Sequence, residues 1–220
     1  MRRHPERAEY RRQMIDDILD EGLICHLGFN AGGVPWVVPT MYARAGDVLY
    51  IHGSPGSRML RESSAGQEVC LTVTLLDGLV LARSVFHHSM NYRSVMVVGT
   101  PQEVVDPNEK RAAFEALVEH VIPGRWQDAR SPSYKELRAT KVLRLDIKEA
   151  SCKLRQGPPS DSADDLALTF WAGVITTRLV AQDVIPAPDL TPGIPVPESV
   201  RRYRRGQGTP WDGSPSQKAR

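Results

Sequence analysis

The chain has 220 residues, of which 41% are hydrophobic and 25% charged, and a formal net charge of +2. That length predicts one domain, or one domain with an appendage, around an ordinary soluble core. The near-balanced charge argues against a general nucleic-acid binder: Arg2-Arg3, Arg11-Arg12, Arg201-Arg202 and Arg204-Arg205 are local clusters that read as solvated faces or tails. No run approaches the ~18 apolar residues of a membrane span, and the charged N-terminus lacks an apolar signal core. Cys25, Cys70 and Cys152 lie in apolar runs without a CxxC partner, which reads as small buried hydrophobes in a reducing compartment. The expectation is a cytoplasmic protein with neither membrane nor nucleic acid as partner.

Residues 6–20 carry Ile15, Ile18 and Leu19 among charges and predict an amphipathic helix ending at Glu21-Gly22. Leu23–Phe29 reads as a strand, and Asn30–Gly33 as a turn into a second strand, Val34–Ala43. Pro35 and Pro39 each remove a ladder donor, so that second strand must be an edge, bulged or irregular. Ala45-Gly46-Asp47 turns into a third strand, Val48–His52, completing an antiparallel meander. Glu68–Leu75 and Leu79–Ser84 read as a hairpin around Asp77-Gly78. A long strand over Tyr92–Val105 bends at Gly99 and Pro101. Asp106-Pro107 starts a helix whose face is Phe114, Leu117, Val118 and Val121. Val142–Ile147 alternates as a late strand. At least six closely spaced strands with helices between them predict a small antiparallel barrel. The composition shifts after Gln156–Pro159, and from Pro186 onward Pro and Gly dominate, giving an extended strap. The expected division is a barrel over 1–155, an extension over 156–205 that packs on the barrel or a partner subunit, and a disordered tail over 206–220.

Two stretches carry chemistry. In the first, the strand ending at His52 runs through Gly53-Ser54-Pro55-Gly56 into a helix opening near Ser57. Strand, tight turn and helix start suit an anion, because the first-turn N–H groups lack intrahelical partners. Ser57 adds a hydroxyl, and Arg58 a forked cation that matches phosphate oxygens. The Gly-Lys-Ser/Thr ending of a Walker loop is absent. The same residues also read as a plain helix cap beside an exposed Arg. The second stretch, Phe86–Ser94, holds His87, His88, Asn91, Tyr92 and Arg93 within nine residues. Adjacent His residues point to opposite sides of an extended chain, and no Asp, Glu or Cys completes a ligand set nearby, so no metal site is expected. The stretch reads either as a buried polar network or as donors ringing a polar heteroaromatic ligand.

In their order and spacing, Pro39–Tyr42, Leu49–Ser54, Gly56–Leu60 and Phe86–Val95 resemble the pyridoxamine 5′-phosphate oxidase-like flavin-binding proteins, nearest the branch with nitroimidazole-resistance and flavin-nucleotide-binding proteins. The resemblance covers roughly residues 10–155 and extends through Trp171–Ile175 and Gly193–Pro197. It implies a mainly β, six- to seven-stranded antiparallel split barrel that forms a homodimer with FMN in two interfacial clefts. Ser57 and Arg58 match the phosphate-binding Ser-Arg. His52, Gly53 and Ser54 flank the ribityl chain and phosphate, and Pro39, Thr40, Met41 and Tyr42 run along the ring. His88, Asn91 and Arg93 are donor candidates, and Trp171 would come from the partner subunit. The oxidase members carry Lys where Met59 stands, and their C-terminal Arg-x-His motif has no counterpart.

The functional expectation is an FMN-dependent oxidoreductase acting on a small aromatic or nitro-type compound, with His52 and His88 as catalytic candidates. Trp36, Val38, Met41 and Trp171 could wall a flavin ring, and Met59, next to Ser57-Arg58, counts with them among the cofactor contacts. The alternatives are a carrier or sensor without turnover, and a haem-binding relative with His52, His87 or His88 as axial ligand. FAD or a deazaflavin in place of FMN stays open.

Overall fold

The computed structural model describes residues 8–9 and 11–204. The start of the first helix expected from residue 6 and the tail over 206–220 lie outside them. In chain order the strands are β1 (Ala8–Glu9), β2 (Ile24–Ala31), β3 (Val34–Ala45), β4 (Val48–Gly53), β5 (Val69–Leu81), β6 (Ser89–Gly99), β7 (Gln102–Glu103), β8 (Lys141–Asp146), β9 (Glu149–Arg155) and β10 (Gly173–Thr176). The helices are α1 (Arg12–Glu21), α2 (Arg58–Ser63), α3 (Pro107–Val121), α4 (Tyr134–Arg138) and α5 (Glu198–Arg201). The strands pair antiparallel in the order β1-β9-β6-β5-β2-β3-β4-β8-β7, with β10 added on β5. The sheet curls round a main core built from alternate residues such as Leu27, Leu49, Ile51, Leu71, Val95 and Leu143, and a smaller cluster of Tyr50, Val104, Ala113 and Val142 lies under α3. This is the mainly β split barrel that was expected, with more strands than the six or seven counted: β9, β10 and the two-residue β1 and β7 join it.

α1 buries Ile15, Ile18 and Leu19, as the helical spacing requires. It is followed by Gly22, where there is no room for a side chain. A Cβ there would lie 2.4 Å from Val73 and 2.7 Å from the Tyr42 hydroxyl. The fully buried Tyr42 donates its hydroxyl to the Leu19 carbonyl at 2.6 Å, tying β3 to α1. Asp106 caps α3 by accepting from the Glu109 amide at 3.0 Å.

β3 shows how two prolines fit a barrel. Val34–Met41 pair with β2, and Tyr42–Ala45 pair with β4. The half that holds Pro35 and Pro39 is therefore a sheet edge on one side, as their missing donors demand. Asp77-Gly78 does not turn, contrary to the expected hairpin. β5 runs straight through it with a bulge between Leu76 and Gly78. Gly78 instead lets β10 approach: a Cβ would meet the Ile175 carbonyl oxygen at 3.0 Å. The Asp77 carboxylate is engaged by Arg93.

The extension begins by docking on its own barrel. Asn91 donates to the Gly157 carbonyl at 3.2 Å, and Arg155 donates to both Asn91 and Gly157. The Asp161 carboxylate accepts from the Arg83 amide at 2.9 Å and from its guanidinium at 2.8 Å. Beyond β10, residues 178–196 are exposed.

Candidate functional site

β3 and β4 pair from Ala45↔Val48 as far as Tyr42↔Ile51, and there the ladder ends. β3 continues in the sheet with β2, while β4 continues with β8 as far as Gly53↔Lys141. The barrel therefore splits at this point. Pro39, Thr40 and Met41 lie on one lip, and His52, Gly53 and Ser54 on the other.

Ser54 closes the following turn: its hydroxyl accepts from the Gly56 amide at 3.2 Å, and its carbonyl from the Ser57 amide at 2.9 Å. Ser57 has the extended backbone of an N-cap but does not use its hydroxyl to cap α2. α2 has only six residues, so the case for anion binding rests on side chains rather than on a helix dipole. Arg58 projects outward, and its guanidinium carbon lies 5.1 Å from the centroid of the Trp36 ring. No carboxylate among the described residues pairs with it. Met59 and Leu60, the next two residues, turn into the core. Met59 was expected at the cofactor; its side chain is instead core packing, turned about 100° round the helix from Arg58.

His52 sits at the strand end, its ring 5.9 Å from that of Phe114 on α3. Its Nδ1 is buried without a hydrogen-bond partner. Burial pulls its pKa below the ordinary value of 6.5, which keeps the ring neutral at neutral pH. Lys141, opposite Gly53, is a cation that the sequence reading passed over. It is held by Glu103 at 2.8 Å and by the Ser64 hydroxyl at 2.9 Å.

Other expected residues lie elsewhere. Tyr42 faces the core, its ring 5.0 Å from that of His120, so its side chain offers nothing to the cleft. Arg93 is saturated. It donates through Nε and Nη2 to Asp77 at 2.9 and 2.8 Å, and through both Nη atoms to Glu21. Bonds to Asp77 and then Glu21 raise its pKa, so it is a permanent cation locked between two carboxylates. Asn91 is buried and bonded to the chain at Gly157. Moreover, β6 is three strands from β3, roughly 14 Å at ~4.8 Å per strand. One protomer therefore does not bring 88–93 to the cleft at 39–58.

The loop before β6 forms a second corner. His88 Nδ1 lies 3.0 Å from the Ser84 carbonyl oxygen. A carbonyl only accepts, so Nδ1 carries a proton and Nε2 is the ring nitrogen left for another partner. Val85 and Phe86 beside it are 87% and 85% exposed. β10 lies along the end of β5 that leads into this loop. Trp171, just before β10, is 68% exposed, and Gly173 leaves room for its indole. A cavity of about 660 Å³ lies away from both corners, between residues 178–184 and the segment from Val200 to Arg204. Among the described residues no helix is long and apolar enough to cross a membrane.

The family model described as pyridoxamine 5′-phosphate oxidase matches residues 11–154. The chain belongs to that family. Solved structures agree over nearly its whole length. The flavocytochrome Anf3 from Azotobacter vinelandii is 40% identical over 94% of this chain and 96% of its own, with a TM-score of 0.89. An FAD and heme binding protein from Mycobacterium smegmatis is 38% identical over 89% and 96%, with a TM-score of 0.85. A candidate 5-nitroimidazole antibiotic resistance protein from Bacteroides thetaiotaomicron is 26% identical over 66% and 85%, with a TM-score of 0.57. Among curated proteins nothing matches.

Proposed function

We propose that this chain is a redox protein that binds a flavin, FAD rather than FMN, together with haem, and that it works as a homodimer. The observation that carries the flavin reading is Arg58: a guanidinium at the split of the barrel, next to the Ser57 hydroxyl, which does not cap the helix, with no carboxylate among the described residues paired to it. A phosphate oxygen pair fits that fork. The choice of FAD draws on the Mycobacterium smegmatis relative, which is named for FAD and heme and aligns over 89% of this chain.

The haem reading draws on the same relative and on the flavocytochrome, and the residues present fit the group. His88 would hold the haem iron through Nε2, since its Nδ1–H is anchored on the Ser84 carbonyl. The apolar side chains of Val85, Phe86 and Met90 stand exposed beside it to cover a porphyrin face. When bound, the flavin takes an electron pair and the haem single electrons, so together they connect two-electron and one-electron partners. Among the described residues neither His52 nor His88 is paired with a carboxylate, and in this reading both bind and orient the groups.

Dimerisation is supported by the outer face of β2, β3 and β6, where Ile24, Val37 and Met96 are exposed, with Val37 at 66%. A second copy on this face would also supply residues that one protomer keeps far from its own cleft. The test is the visible spectrum of the purified protein, with identification of the released flavin and a light-scattering mass. Flavin and Soret bands, released FAD and twice the chain mass are expected, and His88→Ala removes the Soret band alone. Protein that takes up neither flavin nor haem on reconstitution overturns the proposal. Flavin without haem overturns its second half, and released FMN overturns the choice of FAD.

A further inference from the structure

We infer that Trp36 is the positioning residue for Arg58, and that through Arg58 it makes the cleft selective for phosphorylated over unphosphorylated flavin. The inference rests on the phosphate reading of Arg58 above. Arg58 is an exposed, flexible side chain that opens a short helix. A long cation of this kind loses rotamer freedom when it is fixed. Something on the protein must bear that ordering before a ligand arrives if the clamp is to be preformed.

The usual device is a carboxylate, as at Arg93, which lies between Asp77 and Glu21. A carboxylate occupies the N–H fork and cancels the charge, so an Arg held that way has little left for a phosphate. Trp36 holds Arg58 differently. The indole attracts the cation through its π-face, at 5.1 Å from the centroid. No hydrogen bond is consumed, and the planar fork keeps its five donors at its edge.

Trp36 is itself placed by the barrel. It lies directly opposite Phe29 in the β2–β3 ladder, and Phe29 is buried in the core. Trp36 is therefore on the core-facing side of β3. It stays 42% exposed because that stretch of β3 is the sheet edge, with α2 packed on neighbouring β2. Twenty-two residues separate Trp36 from Arg58, so only the closed sheet brings ring and cation together.

The test compares FMN, which carries the first phosphate of FAD without its adenylate and so isolates that phosphate, with riboflavin, which lacks it. Full-length protein is loaded with each, and release on dilution is followed by recovery of flavin fluorescence. A cation–π contact at an exposed site predicts that Trp36→Ala speeds FMN release by up to about fivefold while riboflavin release is unchanged. Trp36→Phe, which keeps a weaker π-face and is the variant to rely on if the alanine protein does not fold, gives a smaller but still FMN-selective effect. Arg58→Ala speeds FMN release selectively, and adding Trp36→Ala to it produces no further change. Equal acceleration for both flavins would make Trp36 a wall of the ring site and overturn the inference, as would additive effects in the double variant. In either case a phosphate-selective Arg58→Ala leaves the flavin proposal standing. An Arg58→Ala protein that releases FMN at the parental rate overturns the phosphate clamp itself, and the role of Trp36 with it.

Discussion

Arg58 and Arg93 are the same residue type in two regions of one barrel, with opposite fates. Arg93 projects from β6 into a gap between α1 and the bulge of β5, where Glu21 and Asp77 close on its fork from both sides. Arg58 stands at the split between β3 and β4 with an indole for support and no carboxylate opposite. The first arrangement is a structural rivet, since its charge is neutralised and its donors are used. The second keeps charge and donors available. A guanidinium becomes a binding group through what is left unpaired around it, and residue type alone does not decide that.

The contrast can be broken at either end. The largest effect is expected at the rivet: Arg93→Met removes the guanidinium that Asp77 and Glu21 share and should lower unfolding free energy by about 2–3 kcal/mol, read by urea denaturation, with flavin release unchanged. Arg58→Ala should do the reverse, weakening FMN binding by about 1.5–3 kcal/mol while stability moves by less than about 0.5 kcal/mol. Arg58→Lys should recover part of the affinity, because the fork is lost but the charge is kept.

A smaller effect is expected from His52. Its pKa is depressed in the folded state by burial, so folding favours the neutral ring. That contribution is complete above the unfolded value of 6.5 and is lost as pH falls below it. Thermal melting midpoints should drop between about pH 7 and pH 5, and His52→Phe should flatten this part of the profile. The smallest effect concerns the thiols. Burial pushes Cys25 up to about 12, and Cys152 is also buried, whereas Cys70 is only half-buried. At pH 8 a thiol reagent should label Cys70 in the native protein, and the other two only on unfolding.

Much of the fold could be read along the chain because its signals are local. The buried spacing of Ile15, Ile18 and Leu19, the cap at Asp106 and the edge character implied by Pro35 and Pro39 all have counterparts in the structure. Asp77-Gly78 failed as a turn signal because neighbours distant in sequence, Arg93 and β10, made the extended conformation the better one. The candidate site divides in the same way. Ser57 and Arg58 belong to a strand–turn–helix unit whose geometry is set within a dozen residues. Asn91, Arg93 and Tyr42 look equally polar in sequence, yet each is committed to a partner far along the chain, Gly157, Glu21 or Leu19.

By itself, then, the sequence determined the alternation that makes strands, the breakers that end them and the location of a phosphate-like corner, since these depend on neighbours a few residues away. Only the tertiary structure decided which charged side chains are neutralised and which stay open, and that Trp36 stands beside Arg58. Those outcomes depend on which strands close next to one another, and ladder pairing across the whole barrel controls that.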